Sequence, residues 1–439
     1  MQSYPSFRRQ DASKLTYDAI VIGSGTGGLS AASLLAQEGK RVLVLEQHFV
    51  VGGYTHAFQR KGYVWDVGLH YVGQVHIAGT LLNKVFRYIT KSKLEWAPLD
   101  DVYDRAMFGD KEYPFPRGRQ NLMRALKEYF PASEDVASID AYFKLLDDVD
   151  HAGTAYYAEK VIPPFLAKLI GPWLRKGVLK FSDQTTLEAI RGITKNEKLI
   201  GVLTSQYGDY GLQPSESSFY MHAVLANHYM EGAGYPIGGA PRFAETVVPV
   251  IEEAGGAVVH SARVQQIVVE GNTAVGVRME NGTVLRAKNI ISDAGVVNTF
   301  STLLPDEVIR RHKLDEMLSN LTPSLAHMGL YVGFNEEFKL PKCNYWIFPD
   351  EYDHALRQSR ATDIDAPIPV AFASFPSAKD PQSHVTHPGR TTAEVIILVP
   401  FDWFSKWSDT KRHVRGEEYE ALKARIGEKM FEVLYRVAP

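Results

Sequence analysis

The N-terminal part of the chain alternates apolar runs with a helix-like segment. Tyr17 to Ile22 (YDAIVI) is rich in β-branched residues, as expected of a strand buried on both faces. Leu29 to Glu38 (LSAASLLAQE) has the composition of a helix and is followed by Gly39, a typical C-cap residue. Arg41 to Leu45 (RVLVL) is a second apolar run. Strand, helix and strand within about 30 residues predict a βαβ unit, whose parallel strands need the crossover helix.

The pattern then changes to longer amphipathic stretches. Residues 77–229 contain many aromatic side chains and are interpreted as mainly helical. The turn signal Tyr235 to Gly239 (YPIGG) precedes a predicted helix from Pro241 to Glu253, which ends before two glycines.

A β-meander is predicted next. Val264 to Glu270 (VQQIVVE) leads into TAVGVRM and then, through an Asn-Gly pair typical of a hairpin turn, into TVLRA. Asn289 to Gly295 (NIISDAG) predicts one more buried strand. Residues 320–400 alternate strand-like runs with Pro-rich turns, and the stretch from Gly416 is predicted to be helical.

A glycine-rich loop separates the first predicted strand from its helix. Gly23 to Gly28 (GSGTGG) fits G-x-G-x-x-G, in which Gly23 allows the tight turn, Gly25 the approach of a pyrophosphate and Gly28 close helix–strand packing. The helix N-terminus offers N–H groups and a positive dipole end to the phosphates. Glu46 ends the second strand 21 residues after Gly25 (46 − 25 = 21), where an acid accepts hydrogen bonds from ribose hydroxyls. The context predicts a dinucleotide site.

Two later features favour FAD over NAD. Gly52 and Gly53 follow Glu46 after five residues, and a second glycine pair lets backbone approach the far side of a long dinucleotide. Gly62 to Gly68 (GYVWDVG) comes next. The patterns E-x5-GG and G-x-x-x-D-x-G resemble the N-terminal signature of the FAD-dependent amine oxidase and phytoene desaturase superfamily.

Longer segments sharpen the resemblance. GSGTGGLSAASLLAQEGKRVLVLEQHFVVGGYTHAF and GYVWDVGLHYVG closely resemble the retinol saturase and carotenoid isomerase branch of the phytoene desaturase family. YPIGGAPRFAETVVPVIEEAGGAVVHSARVQQIVVEGNTAVGV and NIISDAGVVNT are similar to the same branch, so the likeness spans about residues 17–300. It implies FAD as cofactor, a retinoid or carotenoid substrate, and an α/β fold. In that fold a Rossmann-type FAD-binding domain, with a parallel sheet and a β-meander, carries an inserted mixed substrate domain and a mainly helical region.

Four segments are expected from this organisation. Residues 17–76 form the first part of the FAD-binding domain, 77–229 a helical region facing substrate or membrane, 230–300 the second FAD-binding part with the meander, and 301–439 the substrate domain. Members of the resembling family carry a further glycine-rich segment near the C-terminus, which closes over the flavin. The sequence ends at Pro439 without one, so we expect either a truncated version or a cofactor site closed in another way.

Carried over residue by residue, the resemblance assigns three groups to the cofactor. The pyrophosphate loop is Gly23, Ser24, Gly25, Thr26, Gly27 and Gly28. The adenosine ribose is assigned to Glu46 and Gln47, and the flavin end to Gly52, Gly53, Tyr54 and Thr55. Val264, in the ARV segment, is assigned to the adenine through its backbone and is equally an interior strand residue.

Two residues are candidates for proton transfer. His70 and Tyr71 (GLHYVG) follow the second glycine region, where the chain of the resembling family passes close to the isoalloxazine ring. Hydride transfer at flavin N5 leaves a proton to be supplied or removed, which His or Tyr can do. The alternative is a hydrogen-bonded structural pair under the flavin. The histidines have no metal-ligand spacing with acids or cysteines, so no metal site is predicted.

The stretch Lys160 to Lys180 (KVIPPFLAKLIGPWLRKGVLK) mixes large apolar residues with Lys and Arg and contains no acid. This mixture is typical of a segment lying on an anionic bilayer, and a carotenoid-sized substrate would need such a route. The alternative is a helix pair packed on the core with a solvated basic face. Pro163, Pro164 and Pro172 are expected to interrupt any single long helix.

Composition limits the remaining classes. The 439 residues are 45% hydrophobic and carry a net charge of −3, which gives no reason to expect a nucleic-acid partner. The single cysteine, Cys343, fits a reducing compartment. Residues 1–16 lack the apolar core of a signal peptide, and no apolar run reaches the ~18 residues of a membrane span. We therefore expect a cytoplasmic protein, either free or attached peripherally to a membrane.

The prediction is an FAD-dependent oxidoreductase acting on conjugated double bonds of a retinoid or carotenoid by saturation, desaturation or isomerisation. Amine oxidation on the same scaffold is a second hypothesis. A third is a non-enzymatic isoprenoid carrier, because Rab GDP-dissociation inhibitors resemble the same superfamily and hold no flavin. The sequence leaves the oligomeric state open.

Overall fold

The structure is a computed structural model that describes residues 4–7, 16–321, 323–360, 362–411 and 414–439. The chain divides into two compact units. Unit 1 comprises Met1–Ala97, Tyr235–Pro323 and Asp380–His387; unit 2 comprises Pro98–Gly234, Ser324–Lys379 and Pro388–Pro439. Each unit therefore combines segments that lie far apart in the sequence.

Strands occur along the whole chain, many of them short and apolar. In chain order they are β1 (Ala19–Ile22), β2 (Val42–Leu45), β3 (Ala57–Arg60), β4 (Tyr63–Asp66), β5 (Val72–Gly73), β6 (Trp96–Pro98), β7 (Val102–Phe108), β8 (Lys111–Pro116), β9 (Ala233–Pro236), β10 (Ala257–Val259), β11 (Val264–Glu270), β12 (Thr273–Met279), β13 (Val284–Arg286), β14 (Asn289–Ser292), β15 (Ala326–Phe334), β16 (Asn344–Phe348), β17 (Ala371–Ser374) and β18 (Thr391–Val399).

Helices are concentrated between residues 119 and 229. In chain order they are α1 (Thr26–Gln37), α2 (Leu81–Ile89), α3 (Arg119–Tyr129), α4 (Ser133–Val161), α5 (Pro164–Ser182), α6 (Thr186–Arg191), α7 (Glu197–Leu203), α8 (Phe219–Tyr229), α9 (Arg242–Glu253), α10 (Val296–Asn298), α11 (Asp306–His312), α12 (Leu314–Leu318), α13 (His354–Arg360), α14 (Pro376–Lys379), α15 (Ser383–Thr386) and α16 (Glu417–Tyr435).

A parallel sheet in the order β10-β2-β1-β14 forms the centre of unit 1. Every residue of β1 and β2 is buried, because both faces of the sheet are covered. Val21 packs on one face with Leu29 of α1 and Val247 of α9. Ile20 packs on the other face with Ile267 of the meander. The predicted βαβ unit is confirmed, with α1 connecting β1 to β2.

The predicted meander and hairpin turn are also present in unit 1. Strands β11, β12 and β13 pair antiparallel, and the turn into β13 contains Gly282 at φ +84°. A second hairpin, between β3 and β4, turns at Lys61 and Gly62, both with positive φ. Strand β14 pairs parallel with β1, which brings the segment after Ser292 beside the glycine-rich loop.

Unit 2 is built on a mixed sheet in the order β15-β18-β17-β16-β7-β8. Ile426, Met430 and Leu434 of α16 recur every four residues and pack on this sheet, which confirms the predicted C-terminal helix. Strands β7 and β8 fall in the stretch interpreted as mainly helical. In β7 the apolar pattern is interrupted by Asp104. This acid is buried, and it accepts a hydrogen bond from Gln206 among other groups.

The α4–α5 pair corrects one expectation about proline. Helix α4 ends at Val161 and α5 begins at Pro164, so the break lies where two prolines were expected to place it. Pro172, also expected to interrupt a helix, lies inside α5, and that prediction is wrong. Pro172 is exposed, so water can hydrogen-bond the carbonyl that a proline without an N–H leaves unpaired.

Throughout the described ranges, each helix is either too short or too polar to cross a bilayer.

Candidate functional site

A groove of about 950 Å³ runs along the carboxyl edge of the parallel sheet in unit 1. Its size lies within the range of small-molecule sites in proteins. Its walls come from the ends of β1, β2 and β14, the start of α1 and the start of β11. The lining residues are Ile22, Gly23, Gly25, Thr26, Gly27, Leu45, Glu46, Gln47, Gly53, Tyr54, Ala262, Arg263, Val264, Gln265, Glu280, Asp293, Ala294, Asn298, Thr302 and Leu303.

The glycines of the loop before α1 are needed for different reasons. Gly23 has φ +99°, a conformation that side chains other than glycine rarely adopt. A Cβ at Gly28 would collide with the carbonyl oxygen of Gly23, so Gly28 permits the close helix–strand approach. A Cβ at Gly25 would lie only 2.7 Å from a carboxylate oxygen of Asp293. The loop therefore presents bare backbone to the groove at the N-terminus of α1.

Glu46 joins three separate segments through a buried hydrogen-bond network. Its Oε2 accepts from the Ser24 backbone N–H at 2.9 Å and from the Ser24 hydroxyl at 2.6 Å. Its Oε1 accepts from the N–H of His48 at 2.7 Å. The Ser24 hydroxyl oxygen in turn accepts from the N–H of Gly52 at 3.0 Å. Through these contacts within the protein, Glu46 positions the glycine-rich loop and the second glycine pair.

The Gly52–Gly53 pair closes the groove beside the glycine-rich loop. Gly52 has φ +120° and Gly53 has φ +55°. A Cβ at Gly53 would lie 2.7 Å from the Cα of Gly25, so two backbones touch here. Tyr54 is 79% exposed, which leaves a large aromatic ring at the rim of the groove. Thr55 is buried instead, and its hydroxyl donates to the Gly52 carbonyl at 2.7 Å.

Asp66 fixes the segment that leaves this region. It is the acid of the GYVWDVG sequence, it is buried, and it accepts hydrogen bonds from the Tyr235 hydroxyl and from the N–H of Ala240. The contact ties the end of β4 to the YPIGG turn before α9. Asp66 is therefore a structural acid that holds two motif segments of unit 1 together.

The opposite wall of the groove comes from the segment entering β11. Val264 is 7% exposed, as expected of an interior strand residue, and it also lines the groove. Its neighbour Arg263 forms an exposed ion pair with Glu280 at 3.6 Å. Arg263, Glu280 and Asp293 were not selected from the sequence, because they lie just before β11, just after β12 and just after β14, in segments that the fold brings together.

The selected residues divide into three sets. Gly23, Gly25, Thr26, Gly27, Glu46, Gln47, Gly53, Tyr54 and Val264 line the groove. Ser24, Gly28, Gly52 and Thr55 support it from behind, and the proton-transfer candidates His70 and Tyr71 do not line it. Tyr71 is buried and His70 is partly buried, between β4 and β5.

The residues that line the groove have the chemistry expected of a dinucleotide site. The bare backbone at Gly25 and Gly27 and the N-terminus of α1 suit a pyrophosphate. Glu46 retains acceptor capacity, because a carboxylate has about four lone-pair sites and three are used by protein groups. Val264 and Tyr54 both line this groove.

The chain is similar to known proteins over most of its length. A family model described as flavin containing amine oxidoreductase matches residues 26–419. Human all-trans-retinol 13,14-reductase is 35% identical over an alignment of 447 positions, which covers 96% of this chain and 72% of that protein. The chloroplastic prolycopene isomerase of Daucus carota is 25% identical, over 84% of this chain and 60% of that protein.

The fold itself recurs in solved structures. An oxidoreductase from Methanosarcina mazei superposes with a TM-score of 0.63 at 17% identity, covering 96% of this chain and 84% of that chain. At this identity the likeness concerns the fold alone, and it confirms the predicted α/β class.

Proposed function

Because the chain belongs to the flavin containing amine oxidoreductase family, we propose that this FAD-dependent oxidoreductase acts on conjugated double bonds of a retinoid or carotenoid. The observation that carries the proposal is the 35% identity to a retinol 13,14-reductase across 96% of the chain. The weaker likeness to a prolycopene isomerase extends the substrate class to carotenoids. Saturation, desaturation and isomerisation all remain within this proposal.

The groove residues would hold the FAD. Backbone at Gly25 and Gly27 binds the pyrophosphate, Glu46 and Gln47 bind the adenosine ribose, and the backbone of Val264 binds the adenine. The second glycine pair and Tyr54 contact the flavin end. When bound, FAD supplies a hydride acceptor or donor at its N5 atom. The protein orients the cofactor, so that binding entropy is lost before the reaction and not during it.

His70 and Tyr71 are proposed to supply or remove the proton that accompanies hydride transfer. They follow the β3–β4 hairpin, whose end is held by Asp66. Replacing His70 by Gln together with Tyr71 by Phe should lower kcat by about 100-fold, the usual contribution of general acid–base catalysis. Flavin content should stay unchanged, as judged by absorbance per protein.

The Tyr71→Phe variant alone separates the two candidates, because it removes only the hydroxyl of Tyr71 and leaves His70 in place. If the double variant turns over like the wild type, the pair is structural.

The first test is the visible spectrum of the purified protein. Two absorption bands of oxidised flavin are expected, and they should disappear on anaerobic reduction with dithionite. A panel of retinoids, carotenoids and amines is then added to the reduced and to the oxidised protein. Reoxidation of the reduced protein by a polyene would support saturation, and reduction of the oxidised protein by a polyene would support desaturation. Isomerised polyene without net redox change would support isomerisation.

Two results would contradict the proposal. Reduction of the flavin by an amine, with no response to any polyene, would favour the amine oxidase hypothesis. Protein that contains no flavin and binds none when FAD is added would favour the isoprenoid carrier.

We further propose that α5 attaches the protein to a membrane surface, from which an apolar polyene can be taken. Phe165, Leu169 and Trp173 are 73%, 77% and 76% exposed and recur every four residues, so they form one apolar stripe. Val161, at the end of α4, is 84% exposed beside them in sequence. Lys168 and further exposed lysines accompany the stripe, which suits an anionic bilayer.

The neighbouring acid does not cancel this positive charge. Glu159 is buried, with Arg175 and Lys160 within 3.4 and 3.9 Å of its Oε2. The cations at Lys168, Lys176 and Lys180 lie on exposed side chains of α5. The stripe and its flanking charges are therefore available to lipid in unit 2.

Vesicle flotation tests this surface. Phe165→Ser, Leu169→Ser and Trp173→Ser together should reduce binding to phosphatidylcholine–phosphatidylserine vesicles by tenfold or more, since each buried apolar side chain contributes about 1.5–3 kcal/mol. Lys168→Glu with Lys176→Glu should act mainly on anionic vesicles. Val385→Ser with Phe401→Ser, which changes exposed apolar residues elsewhere, is the control. Equal binding by all variants would contradict the assignment.

A further inference from the structure

Asp293 places a negative charge at the start of the cofactor helix α1. It follows β14, and its N–H donates to the carbonyl of Ile22 at 2.7 Å, which fixes its backbone beside the glycine-rich loop. A Cβ at Gly27 would lie 2.6 Å from its Oδ1, and one at Gly25 would lie 2.7 Å from its Oδ2. The two carboxylate oxygens thus lie directly over the glycines at the N-terminus of α1.

This position is electrostatically favourable for one anion. The first turn of α1 contains no acidic residue, so the carboxylate of Asp293 complements the positive end of the helix from another strand. A bound pyrophosphate would lie at the same helix terminus and interact with the same dipole. Two anions at one helix terminus repel each other, and the repulsion is strong in a groove with low-dielectric walls.

The other acids of the groove are engaged differently. Glu46 accepts three hydrogen bonds from protein groups and points into the network behind the loop. Glu280 is paired with Arg263. Asp293 is the acid whose carboxylate oxygens lie against the pyrophosphate loop itself.

We propose that Asp293 is an internal competitor of the FAD pyrophosphate, which stabilises α1 in the flavin-free protein and weakens flavin binding. The inference rests on the proposed flavin site. The carboxylate must move away from the loop when the cofactor binds. Flavin affinity is thereby kept below what the fingerprint would otherwise give, and the protein can exist in a folded flavin-free form.

The test replaces Asp293 by Asn, which keeps the size of the side chain and removes its charge. The dissociation constant for FAD, measured by fluorescence titration of the flavin-free protein, should fall by about tenfold, equivalent to about 1.4 kcal/mol. The melting temperature of the flavin-free protein should fall at the same time, because the charge at the helix terminus is lost. Tighter FAD binding together with a lower melting temperature of the flavin-free protein is the signature of the proposed competition.

Asp306→Asn is the matched control. Asp306 is an exposed acid in the first turn of α11, also in unit 1, and lies outside the groove. Its replacement should lower the melting temperature slightly and leave FAD affinity unchanged.

Three outcomes separate the hypotheses. Equal or weaker FAD binding by the Asp293→Asn protein, with the wild type binding FAD, would overturn the competitor role and leave the flavin site standing. A melting temperature that does not fall in the flavin-free variant would overturn the stabilising role. Failure of the wild type and of both variants to bind FAD would overturn the proposed function and, with it, this inference.

Discussion

At the residue scale, Glu46 combines two roles: it is proposed to bind the adenosine ribose, and its hydrogen bonds hold the glycine-rich loop in place. The E-x5-GG spacing brings its carboxylate to Ser24 and, through the Ser24 hydroxyl, to Gly52. The residue is only 7% exposed, so its hydrogen bonds are shielded from water. A change at Glu46 therefore affects the shape of the groove as well as ribose binding.

Glu46→Gln tests this double role. The amide keeps the size of the side chain but places an N–H₂ group where an acceptor is needed, leaving buried donors of Ser24 or His48 unpaired at a cost of about 1–3 kcal/mol. We expect lower flavin content and a lower melting temperature. Glu38→Gln, at an exposed acid just after α1, should change neither. Wild-type melting of the flavin-free Glu46→Gln protein would disprove the structural role.

At the element scale, a buried histidine joins the helices of unit 2. His222 of α8 is 3% exposed, and its Nε2 lies 2.9 Å from the hydroxyl of Tyr142 of α4. Burial lowers the pKa of His222 to about 4, from an ordinary value of about 6.5. Burial also raises the pKa of Tyr142 well above its ordinary value, so the phenol stays protonated. The α4–α8 contact is therefore built around a neutral imidazole.

Acid should weaken this contact. In the unfolded chain His222 is protonated below about pH 6.5, whereas in the folded protein it is protonated only near pH 4. The stability that the neutral, buried His222 contributes is therefore complete above pH 6.5 and is lost as the pH falls toward 4. The loss is at most about 1.4 kcal/mol per pH unit. Urea unfolding at pH 5 and pH 7.5 should show a smaller pH dependence for His222→Gln than for the wild type.

His151→Gln, at an exposed histidine of α4, is the control and should keep the wild-type pH dependence. An unchanged pH dependence in the His222→Gln protein would refute the prediction.

At the scale of the whole molecule, the groove proposed to hold the flavin is lined by residues of unit 1. Every lining residue of the groove lies within Met1–Ala97 or Tyr235–Pro323. The mixed sheet and the α4–α5 pair belong to unit 2. The proposed cofactor groove and the proposed membrane-binding helix α5 therefore lie in different units of the chain.

Removal of the flavin should consequently affect unit 1. A ligand that binds only the folded state stabilises the segments it contacts, by RT ln(1 + [L]/Kd). Hydrogen exchange of flavin-free protein should be faster in peptides covering Gly23–Gly28 and Gly52–Thr55, and unchanged in peptides covering β17 and β18. Adding FAD back should restore protection. Equal acceleration everywhere would show that the cofactor supports the whole chain and not the groove.

The elements that could be predicted from the sequence are those with a local pattern of residues. The apolar runs of β1 and β2, the helix between them and the Asn-Gly hairpin of the meander follow from periodicity and turn chemistry over a few residues. The glycine-rich loop was equally readable, because each glycine is required by local backbone geometry or by close approach. The resemblance to the family rested on these same segments.

Contacts between residues that are distant in the chain could be found only in the folded structure. Asp293 reaches the glycine-rich loop only because β14 pairs with β1, and Asp66 meets Tyr235 only because the chain returns to unit 1. The buried Asp104 concealed β7 from the sequence pattern, since its partners come from other segments such as Gln206. Long-range pairing leaves no periodic signal in the sequence, so only folding reveals which charges share a site.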